Sequence, residues 1–184
     1  MKSIELEKTF LLRYVPGLLK DFCRSKTCSG HSGCKFIEIS DLYIPLSSIH
    51  PVIRIRKIGE RMEITKKQPI RGADSSEQSE HTIELSKEEF QALSNLPGKE
   101  LVKTRYLMDG AEIDVFHGKL EGLVTADFEF KSRQEMEAFK PPVFCLADVT
   151  QEKTIAGGML CGKSYKDVEP VLERHGYKKI SLIK

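Results

Sequence analysis

Residues 102–130 read VKTRYLMDGAEIDVFHGKLEGLVTADFEF, and this stretch decides the fold class of the chain. Apolar and charged residues alternate along it with a two-residue period, which is typical of β-strands that have one apolar and one polar face. The pattern predicts three strands, at about residues 100–108, 111–118 and 121–131. These strands are expected to be mostly antiparallel and to belong to a mainly β protein.

The same period recurs in the first half of the chain. It predicts five further strands, at about residues 3–13, 35–46, 51–59, 61–68 and 79–86. Short helices are predicted after Ser86 and Ser132, which each begin a capping box, and a third helix is predicted over 164–176. The sequence shows neither an internal repeat nor a linker, so residues 1–184 are predicted to form one α+β domain that is mainly β.

Composition excludes several broad classes of function. The 184 residues include 29 basic and 27 acidic ones, and the net charge of +2 predicts no general attraction to nucleic acid or anionic membranes. The longest apolar runs are far shorter than the roughly 20 residues of a membrane span. Glu5 and Glu7 lie where a signal peptide would be apolar, which predicts a cytoplasmic location with the cysteines as thiols. The oligomeric state stays open.

Charged residues occur in same-sign pairs at positions i and i+2, which places both side chains of a pair on one face of a strand. For any single pair, an exposed face of a β-sandwich is the simpler interpretation. Four pairs together favour a closed sheet with its charges inside a wet lumen and its apolar faces outside, under the helices, because like charges this close need opposite charge between them. The pairs are Arg54 and Arg56, Lys103 and Arg105, Glu112 and Asp114, and Asp127 and Glu129.

A lumen of this kind predicts the chemistry of its ligands. Arginine and lysine side chains on one part of the wall would attract a polyanion. Paired carboxylates on another part would bind a hard divalent cation that prefers oxygen ligands, chiefly Mg²⁺ or Mn²⁺. A phosphate chain chelated by a metal ion satisfies both parts of the wall.

In order and spacing, these motifs resemble the CYTH domain, or triphosphate tunnel metalloenzyme, family over about residues 3–160. Each short motif is common alone, but the ordered set is specific. The first, Glu5-Leu6-Glu7, is similar to the start of the E-x-E-x-K signature of the family. The others are Arg54-Ile55-Arg56, Thr65-Lys66-Lys67, Lys103-Thr104-Arg105-Tyr106, Glu112-Ile113-Asp114-Val115-Phe116, Ala126-Asp127-Phe128-Glu129-Phe130 and Asp148-Val149-Thr150.

The resemblance implies an eight-stranded antiparallel tunnel that hydrolyses a triphosphate-bearing small molecule with Mg²⁺ or Mn²⁺. The substrate would be inorganic triphosphate, thiamine triphosphate or a nucleoside triphosphate. Glu84 and Glu112 also fall on positions that the resemblance places in the tunnel. It assigns catalysis to Glu5, Glu7, Asp127 and Glu129, metal binding to the same four with Asp114, and phosphate binding to Arg54, Arg56, Lys67, Lys103 and Arg105.

Two alternatives stay open because they would use the same tunnel. Class IV adenylate cyclases of the family cyclise ATP, which needs a nucleobase pocket that the sequence does not identify. A non-catalytic member would bind polyphosphate or nucleotide as a sensor. Thr9 is the reason to consider this alternative, because the family signature has lysine at that position. Strand alternation predicts that Thr9 faces the lumen, whereas Lys8 points to the apolar side and extends to water.

A cluster of metal-binding residue types lies apart from these motifs, in a loop rich in Gly, Ser and Lys. Cys23, Cys28, His31 and Cys34 could hold a structural Zn²⁺ through three thiolates and an imidazole. Their spacing is not one of the usual zinc-finger patterns, so free thiols and a surface histidine are the favoured interpretation.

Overall fold

A computed structural model describes residues 2–17, 35–70, 74–108 and 110–181. The strands in these residues are β1 (Lys2–Leu12), β2 (Lys35–Ile44), β3 (Ile53–Ile58), β4 (Arg61–Pro69), β5 (Glu77–Glu84), β6 (Lys99–Met108), β7 (Ala111–Phe116), β8 (Val124–Phe130) and β9 (Cys145–Asp148). The α-helices are α1 (Lys87–Ser94), α2 (Arg133–Ala138), α3 (Gly157–Leu160) and α4 (Tyr165–Arg174), and short 3₁₀ helices span Gly118–Leu120 and Lys153–Ile155.

The strands form one antiparallel sheet that closes on itself. Their order is β5-β4-β3-β2-β6-β7-β8-β1, and the first half of β1 pairs with β5, so that eight strands enclose a tunnel. β9 pairs with the last residues of β1, beyond the part that contacts β5. The predicted eight-stranded antiparallel tunnel is confirmed.

Two differences from the predicted strands have local causes. β8 begins at Val124 and not near residue 121, because Gly122 adopts a φ of 99° in a turn that a strand cannot contain. β9 was not predicted, since a strand of four residues after Pro141 and Pro142 is too short to show a period.

The three predicted helices are present, and serine caps begin the first two. The Ser86 hydroxyl accepts a hydrogen bond from the Glu89 amide while the Glu89 carboxylate accepts one from the Ser86 amide. Ser132 accepts in the same way from the Glu135 amide at the start of α2. Of the helices in the described residues, none has the length and apolar character that crossing a membrane requires.

Apolar side chains on the outer face of the sheet are covered by the segment that follows β8. Phe10 of β1 and Phe128 of β8 contact each other edge to face, and the Phe139 ring lies 4.6 Å from that of Phe128. Phe144 and Cys145 belong to the same buried cluster. This packing leaves the opposite face of the strands to the lumen.

One end of the lumen is apolar. Inward-facing positions change from charged to apolar along the strands, from Lys103 to Leu101 on β6 and from Asp114 to Phe116 on β7. Leu101 and Phe116 pack in one core with residues of α3 and α4, including Leu160. The C-terminal helices therefore pack against this end, and the charged part of the tunnel lies beyond it.

Candidate functional site

A cavity of about 550 Å³ occupies the lumen. Glu112 lines it as expected, whereas Glu84 is exposed at the end of β5 and does not line it. The cavity brings together every residue that the sequence analysis assigned to catalysis, metal binding or phosphate binding, namely Glu5, Glu7, Arg54, Arg56, Lys67, Lys103, Arg105, Asp114, Asp127 and Glu129.

Strands β2, β3, β6 and β7 carry a group of ion pairs that we call the paired cluster: Asp41, Arg56, Lys103, Arg105 and Asp114. Asp41 and Arg56 are direct partners in the β2–β3 register. The Asp41 carboxylate accepts two hydrogen bonds from the Arg56 guanidinium, at 2.5 Å from Nε and 2.6 Å from Nη2. Both side chains are buried, so this bidentate pair fixes the guanidinium plane at the cavity wall.

Asp114 is the second carboxylate of the paired cluster. It accepts hydrogen bonds at 2.7 Å from both Nε and Nη2 of Arg105, and Lys103 donates to it as well. Its side chain is 1% exposed. One carboxylate does not neutralise two cations. Arg105 also contacts Glu112 and lies 3.5 Å from Asp127, whereas Lys103 keeps N–H groups for a further anion in the cavity.

Burial and the neighbouring cations act in opposite directions on the acids of the paired cluster. Burial disfavours the ionised Asp114 carboxylate, but the charges and hydrogen bonds of Lys103 and Arg105 outweigh it and hold the pKa of Asp114 far below its usual range. Arg56 has the same effect on Asp41, whose pKa is also lowered despite burial. Both acids are ionised counter-ions.

The opposite part of the wall, on β1, β4 and β8, carries what we call the carboxylate cluster: Glu5, Glu7, Lys67, Asp127 and Glu129. The β1–β8 register places Glu7 opposite Glu129 and brings Asp127 opposite Thr9. The Lys67 ammonium lies 2.9 Å from a carboxylate oxygen of Glu5 and 2.9 Å from one of Glu7. Two of the four carboxylates therefore contact the single lysine of this cluster, while Asp127 lies 3.5 Å from Arg105 of the paired cluster.

Two acids of the carboxylate cluster, Glu7 and Glu129, have pKa values shifted in the opposite direction to those of Asp41 and Asp114. Burial raises the pKa of Glu7, and the charge of Asp127 adds to this while Lys67 only partly offsets it. Burial together with Glu112 and Glu5 raises the pKa of Glu129. Burial is the main reason that these two acids are harder to ionise, and their negative neighbours add to it because nearby positive charge does not compensate.

Thr9 faces the lumen, as strand alternation predicted. Its hydroxyl donates to Asp127 at 2.7 Å, and its amide donates to the hydroxyl of Thr150 in the late loop motif. Lys8 pairs with Phe128 in an unbroken register and lines a separate surface pocket. Since no bulge turns Lys8 inward, the side chain after Glu7 on this face supplies a hydroxyl and not a charge.

Arg54 differs from the other arginines of the cavity. It shares the inward face of β3 with Arg56, but its hydrogen bond to the Glu80 carboxylate is longer, at 3.4 Å. Within the described residues, its buried Nε has no hydrogen-bond partner. Arg54 therefore has the donor capacity that an anion in the cavity would use.

Asp41 and Glu80 are site residues that sequence reasoning missed. Neither belongs to a same-sign pair, so the signal that identified the other strands does not identify β2 or β5. An expectation that each buried arginine has an acid on a neighbouring strand would have suggested a search for them. The register that matches Asp41 to Arg56 appears only in the folded sheet.

Oxygen ligands of the carboxylate cluster have the chemistry that Mg²⁺ and Mn²⁺ prefer. Burial and then negative neighbours raise the pKa of Glu7 and Glu129, so a cation would also remove a repulsion. Across the described ranges, no three Asp, Glu, His or Cys side chains stand in an arrangement ready to hold an ion. Glu5 and Glu7 are turned towards Lys67, so the donor set fits the metal once that lysine moves.

The cysteine loop is the second candidate metal site in the sequence. Cys23, Cys28, His31 and Cys34 lie outside the described residues, and the structural zinc stays a prediction. Cys145 and Cys161 are free and buried, as expected for thiols.

The fold and the site together describe a class of tunnel proteins. In this class, a closed antiparallel sheet carries a cationic wall opposite a carboxylate wall. Comparison with models of protein families gives no match. The chain is 31% identical over 118 residues to the inorganic triphosphatase of Nitrosomonas europaea, covering 61% of this chain and 74% of that protein. The chain belongs to the triphosphate tunnel metalloenzyme (CYTH) family.

Two crystal structures of the protein NE1496 have the same fold. One, described as a hypothetical protein, gives a TM-score of 0.57 with 25% identity over 87% of this chain and 99% of that chain. The other, described as an inorganic triphosphatase, gives 0.55 with 26% identity over 85% and 93%. The similarity therefore extends over the whole tunnel.

Proposed function

We propose that this protein hydrolyses inorganic triphosphate, or a related triphosphate-bearing small molecule, inside the tunnel with the help of Mg²⁺ or Mn²⁺. One observation carries the proposal: a paired cluster with spare N–H donors faces an under-neutralised carboxylate cluster across a single cavity. A metal-chelated phosphate chain is complementary to both. The similarity to an inorganic triphosphatase supports the same substrate class.

Phosphate oxygens would be bound by the cationic side chains. Arg54 offers its Nε, which has no hydrogen-bond partner among the described residues, and Arg56 is oriented by its bidentate contact with Asp41. Lys103 and Arg105 share Asp114, and Arg105 also donates to Glu112, so Lys103 keeps more of its donors for the substrate than Arg105 does. Their positive charge would stabilise the negative charge on the transferred phosphoryl group.

The carboxylate cluster would hold the ion through Glu5, Glu7, Asp127 and Glu129. When bound, the ion supplies neutralisation of phosphate charge and lowers the pKa of the water that attacks phosphorus. Asp114 is better suited to orient Lys103 and Arg105 than to bind metal, because both of its oxygens accept from these cations. The attacking group is water, so no protein nucleophile is needed.

A product assay tests the proposal. Purified protein is incubated with tripolyphosphate, thiamine triphosphate or ATP, with Mg²⁺, Mn²⁺ or EDTA, and phosphate, pyrophosphate and cyclic AMP are measured. Metal-dependent phosphate release from tripolyphosphate is expected. Cyclic AMP with pyrophosphate from ATP would identify a cyclase, and binding without any product would identify a sensor; either result would overturn the proposal.

A further inference from the structure

Lys67 occupies an unusual position in the lumen. It extends from β4 across β5 to β1, where its ammonium contacts Glu5 and Glu7 at 2.9 Å each. The side chains of all three residues are largely buried, with exposed fractions between 15% and 23%. The ammonium is therefore held by two carboxylates of the cluster to which we assign the metal.

The other lumen cations have different partners. Arg56 is held by Asp41, and Lys103 and Arg105 are held by Asp114. A divalent ion bound in the carboxylate cluster would leave those contacts in place. Lys67 differs from these three because both carboxylates that it contacts belong to the proposed metal site. Arg105 reaches that site only through a longer contact of 3.5 Å with Asp127.

An ammonium and a divalent cation cannot share the same pair of carboxylate oxygens, because two positive charges would then lie within a few ångströms of each other in a largely buried site. An ion that binds Glu5 and Glu7 must displace Lys67. Lysine suits such an exchange, since it is a compact charge on a flexible stem and not a rigid bidentate group.

We propose that Lys67 is an exchangeable counter-ion that bridges Glu5 and Glu7 until a divalent cation takes these carboxylates, and that it then binds the phosphate chain. This inference rests on the proposed function, because it takes Glu5 and Glu7 to be metal ligands. Its consequence is that the cation and the triphosphate promote each other's binding, as a single coupling free energy acting in both directions.

Thr9 explains why Lys67 carries this role in this chain. The residue that follows Glu7 on the inward face of β1 has a hydroxyl that donates to Asp127. The ammonium beside Glu5 and Glu7 therefore comes from β4 and must leave when an ion arrives. Once released, it remains in the cavity, where a phosphate chain is the available anion.

Binding of Mn²⁺ alone tests the first half of the exchange. Titration calorimetry or electron paramagnetic resonance on the full chain, without substrate, measures the dissociation constant. Lys67→Met removes the competing ammonium and is expected to bind Mn²⁺ about tenfold more tightly than the unaltered protein. Lys67→Arg keeps a competing charge and is expected to bind Mn²⁺ about as the unaltered protein does.

Lys66→Met is the matched control. Lys66 is adjacent in sequence, lies on the opposite face of β4 and is exposed, so its removal changes the net charge equally without touching the lumen. This variant is expected to leave the Mn²⁺ dissociation constant unchanged. Circular dichroism on each variant confirms that the compared proteins are folded.

Tripolyphosphate binding, measured with and without Mn²⁺, tests the second half. In Lys67→Met the increase in affinity caused by Mn²⁺ is expected to be about tenfold smaller than in Lys66→Met. Chelation of Mn²⁺ by tripolyphosphate in solution is identical for both variants, so the difference between them reports the protein.

Each outcome decides between the two proposals. Tighter Mn²⁺ binding and a smaller coupling in Lys67→Met support the exchange. Equal Mn²⁺ affinities of Lys67→Met and Lys66→Met overturn the exchange and leave the proposed function standing. If Mn²⁺ binds none of the folded proteins, the metal site itself is wrong and both proposals fall.

Discussion

Side chains of the paired cluster and of the carboxylate cluster line the same cavity. The two clusters differ in their balance of positive and negative charge. In the first, three cations share two buried carboxylates, and the pKa values of Asp41 and Asp114 are lowered. In the second, the four carboxylates outnumber the one lysine, which contacts only Glu5 and Glu7, and the pKa values of Glu7 and Glu129 are raised. The same type of side chain titrates in opposite directions because the nearest counter-charges differ.

This difference shows in which part of the lumen the buried charges already have ion-pair partners. Removing an ion-pair partner from the paired cluster leaves a buried charge unpaired, so its residues are expected to contribute to stability as well as binding. Removing Glu129 from the other cluster relieves repulsion by its acidic neighbours, so this residue is expected to serve function at a cost to stability.

The largest expected effect comes from the paired cluster. Asp114→Asn leaves Lys103 and Arg105 buried without a counter-charge and is expected to lower the free energy of unfolding at pH 7 by about 3 kcal/mol or more. Urea unfolding followed by circular dichroism measures it. A loss below that of a surface substitution such as Glu84→Gln would contradict the role of Asp114 as a structural counter-ion.

The pH dependence of the same variant has a definite sign. Because the pKa of Asp114 in the folded protein lies below its ordinary value of 3.8, the ionised carboxylate contributes stability above that pH and loses it as the pH falls further. The stability difference between the unaltered protein and Asp114→Asn should therefore shrink below about pH 4. A difference that stays constant down to pH 2 would show that ionisation of Asp114 is not its source.

The next largest effect concerns the carboxylate cluster. Glu129→Gln is expected to lower metal-dependent turnover by about a hundredfold, with excess Mn²⁺ restoring little. Its free energy of unfolding should stay the same or rise, since burial, Glu112 and Glu5 all disfavour the ionised form. Phosphate release and urea unfolding measure the two effects.

Glu84→Gln is the control for this variant, because Glu84 is exposed and lies outside the cavity. It should keep full turnover. A folded and active Glu129→Gln protein would remove Glu129 from the metal site and weaken the contrast between the clusters.

Arg54 and Arg56 allow a weakly paired and a fully paired arginine to be compared within one strand. Arg54→Ala is expected to weaken tripolyphosphate binding by about 1.5–3 kcal/mol with little change in stability, because its Nε has no partner within the described residues. Arg56→Ala is expected to weaken binding and also to destabilise the protein, since Asp41 then stays buried without its cation. Calorimetry and urea unfolding separate the two. Equal stability losses would show that the pairing difference has no energetic meaning.

The smallest effect is expected at Thr9. Thr9→Lys adds a cation beside the carboxylate cluster and should raise tripolyphosphate affinity about threefold, offset in part by loss of the hydrogen bond to Asp127. Lys8→Ala should change little, because Lys8 lies outside the lumen. A large loss of binding in Lys8→Ala, with no gain in Thr9→Lys, would contradict the register of β1.

The strand faces and the helix caps of this protein could be predicted from its sequence. Alternation fixes which side chains of a strand share a face, so Arg54 with Arg56 and Asp127 with Glu129 could be paired without coordinates. Capping by Ser86 and Ser132 is equally local, since each bond spans three residues. These patterns, with the family resemblance that the order of the motifs carries, were enough to predict the tunnel and the residues assigned to catalysis, metal and phosphate, although Glu84 lies outside the cavity.

The ion pairs between side chains of different strands depend on the tertiary structure. Lys67 and Glu7 are 60 residues apart, and Arg105 meets Asp114 and not Asp127 as its bidentate partner. Asp41 had no sequence signal until the β2–β3 register placed it opposite Arg56. The physical reason is that strand alternation is a property of neighbouring residues, whereas register and closure depend on the packing of the whole sheet.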